Sequence, residues 1–238
     1  MKKPNYWIQT YSGSAFDFEN PETHLFRKLD FAHSLAMIPR FNGHTRFPYS
    51  VAEHSIRASY LVPEEKAFEA LMHDVSEAYV CDIPTPLKKL LPDYQKIQKR
   101  VEIAIAIQFG LPLEMSPEVK LVDTRLLISE KEKYLIESVF PWSSYGDIKP
   151  YTIEEYAASW PKNLPSLTAN PNYVEFMKKE FIKRFDELWG NHKIPENYPD
   201  LPPAPLIGRP SPTIWSNPVA PEGLITPNGV SATKEIFL

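Results

Sequence analysis

His73-Asp74 sets an imidazole directly beside a carboxylate, two groups that can grip one divalent ion between them. Successive helix positions lie about 100° apart around the axis. Glu77 follows at the fourth residue from His73 and the third from Asp74, so all three side chains turn to one side of a helix. A carboxylate beside a metal site is a general-base candidate. Taken alone, a His-Asp pair usually marks a solvated helix face. Two further residues change the reading: His54, in the run SVAEHS, and Asp123, in the otherwise apolar VKLVDTRLLI. An ionised aspartate on the buried side of a helix is costly unless a partner or a metal compensates it. A salt bridge to Arg125 or Lys120 is the plain alternative. His54, His73, Asp74 and Asp123 together offer two nitrogens and two oxygens, leaving positions for water and a substrate oxygen, as in a catalytic metal site. Zinc, manganese, cobalt and iron all accept such mixed ligation, so the residue types do not rank them.

The elements that must position these groups read as helices. Ser50-Val-Ala-Glu53 has the form of a capping box, which puts His54 in a first helical turn. A second helix is expected from near Pro63, with Phe68, Leu71, Met72, Val75, Ala78 and Tyr79 inward, ending before Asp82-Ile83-Pro84. A third runs from Asp93 to Gly110 with Ile97, Val101, Ala104 and Ile105 as its stripe. Ser116-Pro117-Glu118 opens a fourth, and Asn170-Pro171 a last one carrying Val174, Met177, Phe181, Phe185 and Leu188. Only Trp7 to Phe18 reads as strand, a hairpin turning at Ser12-Gly13. The fold class expected is therefore all-α, a helical bundle over residues 1–192.

Composition bounds the rest. The 238 residues hold 25 prolines and 8 glycines. Ten of the prolines fall between Ile194 and Leu238, which excludes a regular helix or a central strand there. Residues 193–238 thus read as a proline-rich tail, extended or docked on the domain through Ile214, Trp215 and Leu224. A net charge of -4 argues against coating nucleic acid, which needs a broad basic surface. A small anionic substrate needs only a local basic pocket. No apolar run suggests a membrane span, and MKKPNYWIQTYSG lacks the apolar stretch of a signal peptide. The one cysteine, Cys81, reads as a core thiol in a reducing cytoplasm.

The pattern H…HD…D, with AHSLAMIPRFNGHTRFPYSVAEHS followed by ALMHDVSEAYVCDIPTPLKK, resembles the HD-domain metal-dependent phosphohydrolases. More closely it resembles their bacterial 5′-deoxyribonucleotidases and the phage dATP triphosphohydrolases. The resemblance covers roughly Trp7 to Trp189 and does not reach the tail. It implies an all-helical HD-domain bundle that hydrolyses the 5′-phosphate or triphosphate of a (deoxy)nucleotide. By position it implies His54, His73, Asp74 and Asp123 as ligands of one divalent transition ion, Glu77 and Asp82 as catalytic acidic residues, and Arg40 as a phosphate contact. Phe41 stands where the nucleotidases carry tryptophan, keeping a flat face for base or sugar but no indole donor. Lys88 is a second phosphate candidate, a plain surface lysine being the alternative. Homo-oligomers are common in the family, so a homo-oligomer is expected.

Two other functions compete. One is a nucleotide-binding regulator without catalysis, which would have no use for Glu77 and Asp82. The other is a phosphodiesterase or alarmone hydrolase of the same superfamily. His44 and Arg46 read as loop structure, His33 as a packed core residue, His24 and His192 as solvent-facing, and Trp142 and Trp160 as packing.

Overall fold

The computed structural model describes residues 4–140, 142, 145–160 and 172–192; the expected tail and the Asn170-Pro171 helix start lie outside them. The described chain is mostly helical, with one two-stranded sheet. β1 (Trp7–Gln9) pairs antiparallel with β2 (Ala15–Asp17), Ile8 facing Phe16. Gly13 takes φ 81° in the turn, a left-handed step that glycine makes without steric cost.

Nine helices follow among the described residues: α1 (Lys28–Met37), α2 (Val51–Leu61), α3 (Ala67–Met72), α4 (Glu77–Val80), α5 (Thr85–Lys88), α6 (Pro92–Phe109), α7 (Pro117–Tyr134), α8 (Ile153–Ala158) and α9 (Tyr173–Trp189). α2 is the centre, packed against α1, α3, α7 and α9. Every residue from Val51 to Ser59 is buried. Its Ala52, Ser55, Ala58 and Ser59 are small enough for neighbours to approach on all sides. A helix buried all round is normally apolar, yet this one carries Glu53, His54 and Arg57, which must each find partners inside.

Those partners define the interior polar network. Arg57 donates to Glu53 from Nε at 3.0 Å and Nη2 at 2.8 Å, and to Ser159 Oγ at 3.0 Å. Its guanidinium lies 4.5 Å from the Tyr156 ring centre and 4.8 Å from that of Trp160. The capping box is only half formed. The Glu53 N–H donates to Ser50 Oγ at 3.3 Å, but the Tyr173 hydroxyl takes the Ser50 N–H at 2.9 Å and donates to Glu53 at 2.9 Å. A tyrosine from α9 has replaced the glutamate's local bond because Glu53 is committed to Arg57.

Four expectations need correction. No continuous helix runs from Pro63: a 3-10 turn, Glu64–Lys66, leads into α3, and residues 73–76 form turns before α4. Ile97, expected inward, is exposed, while Val101, Ala104 and Ile105 are buried. Cys81 is exposed rather than in the core. His24 and His192 are half-buried rather than solvent-facing: His24 packs edge-on against Phe16, Phe26 and Tyr79, and His192 lies on Phe68 and Trp189 with a 3.0 Å hydrogen bond to the Phe109 carbonyl. Each is drawn in by one aromatic ring close in sequence, Phe26 or Trp189, together with rings from other elements. The expected ends of the third helix hold, with Gly110 left-handed at its C-cap. No described helix is long and apolar enough to cross a membrane.

Candidate metal centre

His54 enters from the first turns of α2, His73 and Asp74 from the turn between α3 and α4, and Asp123 from α7. In that turn the Val75, Glu77 and Ala78 amides each donate to the carbonyl three residues back. Such tight winding aligns positions i and i+3, which puts Glu77 in line with Asp74.

The four side chains converge. His54 Nε2 is 3.2 Å from His73 Nε2, 3.1 Å from Asp123 Oδ1 and 3.7 Å from Asp74 Oδ2. His73 Nε2 is 3.2 Å from Asp74 Oδ2 and 3.8 Å from Asp123 Oδ1. His54, His73 and Asp123 alone bring three ligand atoms within 4.8 Å of one another. The opposite ring nitrogens are already engaged, His54 Nδ1 with Glu130 at 2.6 Å and His73 Nδ1 with the Ala70 carbonyl at 2.7 Å. Each Nδ1 therefore carries the hydrogen, and each Nε2 lone pair points to the centre, as in histidine metal ligands. Two such lone pairs beside two carboxylates are mutually repulsive without a cation. The donor set fits a divalent transition ion. Arg125, the alternative partner for Asp123, turns instead onto the Tyr151 ring and the Lys149 carbonyl.

The electrostatics follow from this crowding. Burial opposes charge on all four groups. Even so, without an ion each Nε2 takes up a proton in its place, and the hydrogen bonds that His54 and His73 then donate hold Asp123 well below the usual carboxylate range, while the field of protonated His73 lowers Asp74. The two imidazoles are raised in turn, His73 chiefly by Asp74. Glu77 behaves oppositely. Burial, then Asp74 and Asp82, push its carboxyl well above the ordinary value against the pull of Lys88 and Arg40. Its Oε1 is 3.6 Å from Lys88 Nζ, and its Oε2 is buried without a hydrogen-bond partner. Asp82, half-buried, is raised by burial, with Arg40 and Lys88 opposing.

Arg40 is buried beside them. Its Nη1 lies 3.5 Å from Asp74 and its Nη2 3.2 Å from Glu130. The Arg40 N–H donates to the Tyr49 carbonyl at 2.9 Å, within a bridge that ties Pro39 to Ser50. Phe41, half-buried, follows with φ 54° and lies 6.1 Å from the Trp142 ring. His33 stacks on Tyr11, and Arg46 bonds the Lys133 carbonyl, both apart from this cluster. His44 is exposed, its N–H bonded to the Phe41 carbonyl.

Glu130 is the residue that reading the sequence missed. It is fully buried and accepts from His54, from Tyr49 at 2.6 Å and from Arg40. Although burial pushes its carboxyl up, His54 and Arg40 bring it down to about 2. The available signal was its spacing, seven residues after Asp123 and so on the same face of α7.

The described part is thus a mostly helical protein with a candidate metal centre built from three segments. No family model matches the chain. Over 125 residues it is 46% identical to YfdR of Escherichia coli strain K12, an uncharacterized protein, a match spanning 52% of this chain and 70% of YfdR. The chain belongs to the same family as YfdR. It is 33% identical over 124 residues to an uncharacterized protein of Rhodobacter capsulatus, covering 48% of this chain and 63% of that one. A 5'-deoxynucleotidase of Yersinia pestis is 29% identical over 133 residues, 53% of this chain and 58% of the relative. The chain therefore spans less than two thirds of those last two proteins.

Proposed function

We propose that this protein is a metal-dependent phosphohydrolase of the HD type that acts at the 5′-phosphate end of nucleotides, deoxynucleotides above all. The observation that carries the reading is the meeting of both imidazole Nε2 atoms with Asp74 and Asp123, beside the buried, half-unpaired carboxyl of Glu77. The name of the Yersinia relative supports the substrate class.

His54, His73, Asp74 and Asp123 would hold the ion, zinc, manganese, cobalt or iron. When bound, a divalent ion there supplies a Lewis acid that polarises a phosphoryl oxygen and acidifies water toward neutral pH. Glu77 takes the proton of the attacking water. Burial and the neighbouring carboxylates raise its affinity for a proton, which favours that role. Lys88, 3.6 Å from Glu77, and Arg40 neutralise charge that spreads over the non-bridging oxygens. Asp82 helps orient the water, and Phe41 offers a flat face to the nucleoside.

The test is to incubate metal-loaded protein with a panel of nucleoside mono- and triphosphates and identify the leaving group. Release of phosphate from monophosphates defines a nucleotidase, and release of triphosphate a triphosphohydrolase. Binding of nucleotide with no turnover of any member overturns the proposal in favour of a regulator.

A further inference from the structure

Glu130 takes no part in the steps above, yet it touches three groups around the centre. Its Oε1 lies 2.6 Å from His54 Nδ1 and 2.6 Å from the Tyr49 hydroxyl, and its Oε2 lies 3.2 Å from Arg40 Nη2. A carboxylate this deep needs its lone pairs engaged, and here hydrogen-bond donors meet both oxygens. With Tyr49 and Arg40 donating, the hydrogen between Glu130 and His54 sits on the imidazole, which leaves the His54 Nε2 lone pair for the side where Asp123 and His73 converge. Asp123 and Glu130 stand two helical turns apart on α7. One face of one helix therefore presents a candidate ligand and the brace of another.

We propose that Glu130 is a positioning residue with two arms: one oxygen fixes His54 with Nε2 open to a divalent ion, and the other holds Arg40 in register with the same centre. The first arm needs only that an ion binds; the second rests on the phosphohydrolase reading. Carboxylates that orient a metal-ligating histidine typically change metal affinity 10–100-fold when removed. Glutamine has nearly the same shape but must turn its amide hydrogens toward one of the donors, so E130Q disturbs either His54 or Arg40.

The experiment is a Co2+ titration against a competing chelator, in the absence of nucleotide, for the parent, E130Q and E130D. E130Q is expected to bind Co2+ roughly 10–100-fold more weakly, with E130D recovering part of the loss. At saturating metal, KM for the nucleotide is expected to rise more than kcat falls, because Arg40 has lost its anchor. A second measurement needs no variant. In the Zn2+-loaded parent, long-range proton–nitrogen spectra should show the His54 hydrogen on Nδ1, exchanging slowly. Unchanged Co2+ affinity in folded E130Q, or a His54 hydrogen on Nε2, overturns the assignment and leaves the phosphohydrolase reading standing. Weakened Co2+ binding in E130Q, with no nucleotide turned over by the parent, upholds the first arm and overturns that reading.

Discussion

Lys88 Nζ stands 3.6 Å from Glu77 Oε1, while the other oxygen of Glu77 is buried without a partner. An acidic group with one oxygen committed and one unpaired is poised to take a proton from something that enters the site. Glu77→Gln keeps the shape and removes that capacity. Turnover is expected to fall on the order of 10²-fold or more, while metal content, measured by elemental analysis, stays at the parent level. Parental turnover in E77Q removes Glu77 from the mechanism.

Asp123 meets His54 at 3.1 Å from another helix. Asp123→Asn should weaken divalent-ion binding by at least the 10–100-fold typical of outer partners. Thermal unfolding gives the check. Zinc at 100 times its dissociation constant stabilises the parent by about 2.7 kcal/mol, and the same concentration should shift D123N far less. Equal shifts would place the ion elsewhere.

Arg57 neutralises Glu53 inside α2, with both side chains almost wholly buried. Removing one member strands the other, so Arg57→Met is expected to cost about 3–5 kcal/mol in urea unfolding. Converting Glu53 as well, in E53Q/R57M, should recover much of that loss. A single-variant cost under about 1 kcal/mol would mean that Tyr173 alone satisfies Glu53.

His24 lies among Phe16, Phe26 and Tyr79, and burial there lowers its pKa below the ordinary value. A depressed native pKa means that the unfolded chain binds the proton more readily. His24 therefore supports the fold fully above its unfolded value of about 6.5, and that support is lost as pH falls through the lower native value. His54 and His73 are shifted the other way, so the measurement must be differential. Between pH 7.5 and 5.5 the parent should lose more unfolding free energy than His24→Phe. Parallel curves would show that the imidazole contributes no acid sensitivity.

The candidate ligands were legible because each breaks its surroundings: Asp123 interrupts an apolar run, and His54 follows a helix start. Glu130 was not, since it sits in SEKEK, which reads as solvated surface although the helix turns that one charge inward. His24 and His192 misled for a related reason. His24 follows Glu22-Thr23 and His192 stands between Asn191 and Lys193, while Phe16, Tyr79 and Phe68, which help enclose them, come from other elements. Helix ends marked by Gly110 and Pro117 were read well, because backbone chemistry is local. The break at 73–76 was not, because the weak helix preference of His, Asp, Val and Ser in MHDVSEA is no stronger than that of many residues inside helices.

Phe41 and Asn42 both adopt φ 54°, a pair of left-handed steps that cost side-chain-bearing residues roughly 1–2 kcal/mol each. The backbone bends there immediately after Arg40, which is itself fastened to Tyr49 by its amide. Insertions or deletions on the Arg40 side of that bend would swing the guanidinium away from Glu130 and Asp74. Natural length variation among relatives should therefore accumulate at the exposed tip, between Gly43 and Pro48, and spare the two residues on either side of Arg40.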